Sequence, residues 1–515
     1  MTRLQRFLHS VASSYVRLVA DSVYQLASVP LALHYLSKEE FGLWILILQM
    51  TGYLKLIDFG MTSAVARKLI DYKDQRDGGE YGSLLQTGGL VFAIQGIFIL
   101  LVGLLLSPSL AALLRIPETL RPEFVALMRW YCVLQALTFG TRILDPVLFA
   151  HQRVDVSNYA IALQQPVCFL IVWVSLREGQ GLNSILWTTL AGWLLLVAVQ
   201  GGSCARLKLL PRRGAWGRAS WQKFHGLFSF GRDAFLVGAG QQLLMASQTF
   251  IITRHMGLAV AATWSICTKA YVLTNLLVSR MADFSMPVFS EMLVRGERDR
   301  LRKRLQELLI LSGTMAGAAG VLFALCNQPF VTVWTKGRIA WSVSNDVLLA
   351  GEIVLLALSR GHCSFIPATG RFGFLRYVYL IEGLVFVVIG SLGVRLIGIP
   401  ALIVASMVCT VSFSGLYGFW HTAHYGGFSL RDVLVRWQIP MLKVILFLAP
   451  LGLIAWWLCR CLSPALRLLV EGFWGVIVGC YVLVRYGMPR SLQEELVNRL
   501  PSRIRGVLRR WVVVP

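Results

Sequence analysis

Apolar stretches about twenty residues long recur from one end of this 515-residue chain to the other. In an α-helix such a stretch rises about 30 Å, the thickness of the hydrocarbon core of a bilayer. Fourteen spans are read, at residues 15–35, 41–61, 84–106, 124–143, 156–176, 185–205, 235–256, 259–284, 308–333, 347–366, 374–394, 399–419, 441–458 and 466–484. The expected fold class is all-α and polytopic, with about 14 transmembrane helices.

Composition removes the main alternative. Hydrophobic residues make up 56% of the chain, charged residues 15%, and mean hydropathy is +0.64. A soluble enzyme of this length does not have those values. The formal net charge of +23 would suggest nucleic acid in a soluble protein. Here Lys and Arg collect in the short connections between spans, where they set orientation, so no nucleic-acid partner is expected. The ten cysteines form no CxxC pair and have no His at ligand spacing, which points to small buried hydrophobes and no metal site. His421 and His424 likewise lack further ligands. Arg3 and Arg6 open the chain, but no small-residue cleavage site follows the first apolar run, so that run is expected to be retained as a span.

Alternate connections differ in basic content. Arg67, Lys68, Lys73 and Arg76 mark one rich connection, and Arg206, Lys208, Arg212, Arg213, Arg218 and Lys223 mark another. Residues 295–304 and the tail are also rich, whereas the intervening connections hold little more than Lys38, Arg177, or Lys336 with Arg338. The positive-inside rule then places both termini in the cytoplasm, which requires an even number of spans. Outward connections are short, leaving little room for the catalytic loop of a membrane glycosyltransferase or ligase. In the tail, Leu492, Leu496, Leu500, Ile504, Val507, Leu508 and Trp511 fall on one helical face among five arginines. That pattern suits a helix lying along an anionic inner leaflet.

Aligning Trp44 with Trp264 lays Tyr35-Leu36-Ser37 over His255-Met256-Gly257, each a short outward turn between two long spans. A duplicated six-span unit explains this, and because six is even the copies are parallel repeats. The expected division is an N-terminal lobe at 1–205, a basic linker at 206–234 and a C-terminal lobe at 235–420. An additional span pair at 421–486 and a basic amphipathic tail at 487–515 complete it. Two lobes related along the membrane normal suit alternating access.

The run YLSKEEFGLWILILQMTGYLKLIDFGM, residues 35–61, resembles the first-hairpin signature of the polysaccharide transporter family. These are the O-antigen and exopolysaccharide flippases of the multidrug/oligosaccharidyl-lipid/polysaccharide (MOP) superfamily. HMGLAVAATWSICTKAYVLTNLLVSRMADFSMPVFSEM, residues 255–292, resembles its second-half counterpart. Phe41-Gly42-Leu43-Trp44 and Asp58-Phe59-Gly60 are the most specific pieces, and from about residue 337 the resemblance rests on hydropathy. The resemblance implies a non-enzymatic flippase in the bacterial cytoplasmic (inner) membrane. Its substrate would be undecaprenyl-pyrophosphate-linked oligosaccharide, carried to the outer leaflet through a cavity between two lobes. Membrane lipids, a polysaccharide polymerase and chain-length machinery are the other partners it implies, with no cofactor. Coupling to H+ or Na+ is left open.

Charges inside spans are the residues that can carry chemistry, since each costs roughly 2.5–3.5 kcal/mol at a helix centre. Arg17 with Asp21 sits at i,i+4; Lys55 with Asp58, Arg142 with Asp145 and Arg280 with Asp283 sit at i,i+3. Each is either a self-neutralised pair or part of a site. Lys269 differs, lying ten residues into its span with no acid within four residues. It is expected to face a wet cavity, pair with an acid from another span, or be deprotonated. Glu382, and Glu352 with Arg360, are the available acids. The resemblance puts the first two spans of each lobe on the cavity, so Arg17, Lys55, Lys269 and Arg280 become candidates for offsetting a pyrophosphate, with Asp21, Asp58 and Asp283 beside them. Gln241 and Gln242 are candidates for hydrogen bonds to sugars, with helix-to-helix bonds as the competing role. Two other functions compete: a cation-coupled multidrug antiporter, which would rely on Asp21, Asp58 and Glu382, and a membrane glycosyltransferase or O-antigen ligase.

Overall fold

The computed structural model of the protein describes residues 3–368, 373–489 and 491–494, and every regular element among them is helical. The chain forms two compact units, Met1–Ala262 and Thr263–Pro515. Most of the tail read as amphipathic, from residue 495 onward, lies outside the described residues.

The first unit contains α1 (Arg3–Tyr35), α2 (Lys38–Leu54), α3 (Met61–Tyr72), α4 (Glu80–Leu113), α5 (Arg121–Gly140), α6 (Leu144–Ala150), α7 (Val154–Arg177), α8 (Ser184–Arg206) and α9 (Trp221–Met256). A tenth helix, α10 (Leu258–Cys267), runs across the division into the second unit. The turn between α1 and α2 is closed by a capping box: the Ser37 N–H donates to Glu40 Oε2 at 2.8 Å, and the Glu40 N–H donates to Ser37 Oγ at 3.2 Å. Helices α4 and α5 approach closely because glycine lines the contact. A Cβ at Gly96 would lie 2.7 Å from the Ala136 carbonyl oxygen, and one at Gly103 would lie 2.3 Å from Cys132 Cβ. On the opposite side α4 exposes Leu90, Ile94, Leu101 and Leu105, a row suited to lipid. The basic connection after α8 is fastened to the start of α4, with Lys223 Nζ 2.8 Å from Glu80 Oε2 and Tyr81 Oη donating to the Leu209 carbonyl at 3.2 Å. The Ser220 N–H donates to Thr87 Oγ1 at 3.1 Å, and α9 begins at the next residue.

The second unit contains α11 (Lys269–Val294), α12 (Arg298–Trp334), α13 (Val343–Ala368), α14 (Leu375–Ile397), α15 (Ile399–Thr410), α16 (Leu416–Gly426), α17 (Leu430–Leu434), α18 (Ile439–Cys459) and α19 (Pro464–Val482). Helix α12 is its organising strut. Gly320 lets α13 approach, its would-be Cβ being 2.9 Å from the Ala350 carbonyl oxygen, while Gly317 meets Ile445 of α18 at 3.0 Å. Between α15 and α16 the helix widens into a π turn, Val411–Gly415. The buried Glu382 of α14 accepts the Ser414 N–H of that turn at 3.2 Å.

The last long helix, α19, carries a buried ion pair whose arginine also bonds α12. Arg467 Nε lies 2.7 Å from Glu471 Oε1, and Arg467 Nη1 donates to Gln328 Oε1 of α12 at 3.2 Å. The Glu471 side chain is fully buried. Removing one partner of such a pair strands the other, so Glu471→Leu should lower stability by about 3–5 kcal/mol, whereas the double change Arg467→Met with Glu471→Leu should restore most of it. Thermal unfolding of the purified protein in detergent measures both, and equal stability of the single and double variants would remove the pair as a stabilising unit.

Among the described residues, twelve helical stretches are long and apolar enough to cross a membrane. The expected spans outside those twelve are 15–35, within α1, and 259–284, which is divided between α10 and α11 at Thr268. These are the segments that carry Arg17, Asp21, Lys269, Arg280 and Asp283, so the polar residues that make them interesting are also those that dilute their apolar character.

Candidate functional site

In the first unit the two signature pieces are built around helix junctions. Phe41, Leu43 and Trp44 are buried at the start of α2, and Gly42 lets the Leu258 carbonyl oxygen approach to within 2.2 Å of where a Cβ would stand. At the other end, α2 tightens into a 3₁₀ turn, Lys55–Asp58, then breaks at Phe59 (φ 48°) and Gly60 (φ 71°), both left-handed. Asp58 caps the helix that follows: it accepts the Thr62 N–H at 3.3 Å and Thr62 Oγ1 at 2.5 Å. Gln95 Nε2 donates to the Asp58 carbonyl at 3.1 Å.

Asp58 has a cationic partner that spacing did not reveal. Arg142 Nη1 lies 3.6 Å from Asp58 Oδ1, with its guanidinium 4.7 Å from the centroid of the Phe139 ring. The expected Arg142–Asp145 pair is therefore corrected, and Asp145 instead accepts Ser157 Oγ at 2.6 Å. The side chain of Lys55, expected to pair with Asp58, lies outside the described residues. Arg17 and Asp21 do pair, at 3.5 Å, and Gln165 Nε2 of α7 also donates to Asp21, at 2.5 Å. Gln242 packs against Gly52 of α2, where its amide nitrogen occupies the space a Cβ would need. Gln241 is exposed. Tyr53 and Ser247 complete the α2–α9 contact, their hydroxyls 2.6 Å apart.

Two of the expected cations, Lys269 and Arg280, lie on α11 of the second unit. Lys269, the first residue of α11, is half-buried and has no hydrogen-bond or ion-pair partner among the described residues. The Nε of Arg280 is buried and unpartnered. The side chain of Asp283 lies outside the described residues. The acids expected as their partners are otherwise engaged. Glu352 accepts Ser406 Oγ at 2.5 Å and Glu382 accepts the Ser414 N–H, both neutral donors. Lys269 and Arg280 are eleven residues apart, which is three helical turns, so they share one face of α11 about 16 Å apart. Beginning at Ala270, next to Lys269, an apolar cavity of about 460 Å³ is lined by Thr274, Leu277, Met315, Phe323 and Leu468. Sequence reasoning missed that cavity, because its wall comes from α11, α12 and α19 together.

Comparison with solved structures gives the class: this is the fold of MOP-superfamily transporters. An inward-facing multidrug resistance MATE family transporter of that superfamily aligns with a TM-score of 0.66 and 14% identity, covering 81% of this chain and 99% of its own. The lipid II flippase MurJ, in an inward closed conformation, aligns at 0.64 and 11% identity, covering 93% and 98%. A MOP superfamily transporter from Pyrococcus furiosus aligns at 0.57 and 13%, covering 83% and 96%. A search of curated protein sequences gave no match. The profile of the polysaccharide biosynthesis protein family matches residues 34–336, and the chain belongs to that family. It is an all-α multi-pass membrane protein that shares the fold of these transport proteins.

Proposed function

We propose that the protein flips undecaprenyl-pyrophosphate-linked oligosaccharide across the bacterial cytoplasmic membrane for surface polysaccharide synthesis, by alternating access through a cationic central cavity. The observation that carries this reading is the family match over residues 34–336. Two further features support it. Lys269, without a partner among the described residues, and Arg280, whose Nε is buried and unpartnered, put two cations on one face of α11, which suits a pyrophosphate. The apolar cavity beside Lys269 suits the hydrocarbon of the same lipid. MurJ, which shares the fold, is named as a flippase of lipid II. The P. furiosus transporter is described by a binding pocket of reversed polarity suggesting a different function.

In this reading α1 and the α10–α11 stretch also cross the membrane, giving fourteen spans in two parallel six-helix lobes with an extra pair, and both termini are cytoplasmic. Arg17, Asp21, Lys55, Asp58, Asp283, Gln241 and Gln242 remain proposed contacts, with Lys269 and Arg280 of α11 carrying most of the charge complementarity. Deleting the gene should trap lipid-linked oligosaccharide on the cytoplasmic face of the membrane and remove surface polysaccharide. Leaflet-resolved labelling of the lipid-linked pool measures this. Normal surface glycan together with altered sensitivity to cationic drugs would overturn the reading in favour of an antiporter.

A further inference from the structure

A crevice in the first unit holds a buried polar atom that neither the fold nor the flippase reading uses. Its volume is about 470 Å³, and it lies between Leu90 and Ile94 of α4, Phe59 at the α2–α3 break, and Trp221, Phe224 and Phe228 of α9. The three rings of α9 form a ladder. Trp221 lies 4.8 Å from Phe224 with their planes 31° apart, and Phe224 lies 6.0 Å from Phe228 at 27°. Gln95 of α4 lines the same crevice and is only 7% exposed. Its Nε2 is committed to the Asp58 carbonyl, and turning the amide round would set two oxygens against each other. Its Oε1 is buried with no hydrogen-bond partner.

An unpaired buried acceptor is costly, so the question is what can reach it. Thr87 lies at the end of the crevice where α9 begins, and its hydroxyl is satisfied by the Ser83 carbonyl at 2.7 Å and the Ser220 N–H at 3.1 Å. Gln95 stands eight residues further along α4, which is about 12 Å deeper into a helix long and apolar enough to cross a membrane. A phospholipid keeps its donor groups at the head-group level, and its acyl chains and ester oxygens donate nothing. Such a lipid covers the walls and leaves Oε1 unpaired. A water molecule needs two to four polar partners, which the apolar side chains around Gln95 do not supply. What fits is an apolar body with one donor, flat enough to lie against near-parallel rings.

We propose that this crevice binds an uncharged, flat aromatic molecule bearing a single O–H or N–H donor. The ligand's rings lie on the Trp221–Phe224–Phe228 ladder, and its donor bonds Gln95 Oε1. Leu90 and Ile94 are more than half exposed on the lipid-facing row of α4, so entry is from the bilayer. Because the same amide holds the Asp58 carbonyl, an occupant braces the α2–α3 break against α4 and the start of α9. This inference does not depend on what the protein carries.

The test uses the full-length protein in lipid nanodiscs, with binding to protein-free nanodiscs subtracted. The probe is 1-naphthol, and 1-methoxynaphthalene is the matched control, since it keeps both rings and the oxygen but has no O–H. 1-Naphthol should bind saturably, one per chain, and about tenfold more tightly than the methyl ether. Ile94→Trp, which fills the crevice without touching the Gln95–Asp58 bond, should abolish that binding. Gln95→Met should bring the two probes to equal affinity, with melting temperature recorded to show that the variant is folded. Equal affinity of the two probes for the wild-type protein, or no saturable binding, overturns the proposal without reference to any variant. So does binding that survives Ile94→Trp, which places the probe elsewhere.

Discussion

Lys269→Glu is expected to abolish export of the lipid-linked glycan, with the undecaprenyl-linked pool accumulating in the inner leaflet and surface polysaccharide falling below detection. The physical argument starts from what Lys269 does not do. It has no ion-pair or hydrogen-bond partner among the described residues, so its charge is not spent on holding helices together. It opens α11 beside an apolar cavity and shares a face with Arg280. An ammonium about 4 Å from a phosphate oxygen contributes about 4 kcal/mol near a protein surface, which is about a thousandfold in affinity. Charge reversal removes that attraction and replaces it with repulsion. Lys269→Arg should retain most of the transport, and Lys269→Gln should fall between. Complementation of a deletion strain, with membrane levels of each variant measured alongside, distinguishes loss of transport from loss of protein. Full complementation by Lys269→Glu at normal membrane levels would remove this residue from the substrate path.

Gly60→Ala should be among the most damaging single-atom additions in the chain, and for a reason unrelated to substrate. Gly60 follows the break between α2 and α3 with φ 71°, and a Cβ there would stand 2.4 Å from the Gly231 carbonyl oxygen of α9. Gly231 reciprocates, since a Cβ on it would lie 2.6 Å from the Phe59 carbonyl oxygen. The left-handed conformation alone costs about 1–2 kcal/mol for an L-residue. The clash is with backbone, which cannot rotate away, so α9 must separate from the junction. Gly179→Ala provides the matched control: φ there is 74°, yet nothing lies within 4 Å of the added atom. Gly179→Ala should therefore show the conformational cost by itself, and Gly60→Ala that cost plus the clash, read as a clearly larger drop in melting temperature. Equal drops would mean that the Gly60–Gly231 contact is not tight in solution.

The same pair of glycines shows what the sequence could and could not reveal. Asp58-Phe59-Gly60 was visible as part of a family signature, but its physical content is a helix break, a cap on Thr62 and a close backbone approach to α9, none of which spacing encodes. Arg142 illustrates the limit more sharply. Periodicity sees neighbours along one helix, so it offered Asp145; the actual partner, Asp58, comes from a different segment of the chain. Gln165 beside Asp21 is another long-range contact of this kind. Lys269 was legible because the signal was local: no acid lies within four residues, and among the described residues the folded unit supplies none. The acids Glu352 and Glu382 were legible as buried charges but not as acceptors from serine, since Ser406 and Ser414 lie on α15 and the π turn after it. Apolar length located twelve helices well and blurred α1 and α10–α11, where polar residues interrupt the pattern.

The π turn at Val411–Gly415 has a meaning for how this chain can change over generations. A π turn is what one extra residue leaves behind inside an α-helix, and each residue corresponds to about 100° of rotation. Deleting a single codon in that stretch would give an ordinary helix with no break in reading frame. Because the bulge itself absorbs the rotation of the extra residue, α16 would keep its face and His362 its partner Thr422, while the widening that leaves the Ser414 N–H free for Glu382 would be lost. Related chains should therefore differ by one residue at 411–415 more readily than within the flanking helices, and those without the extra residue should lack the bond to the α14 carboxylate.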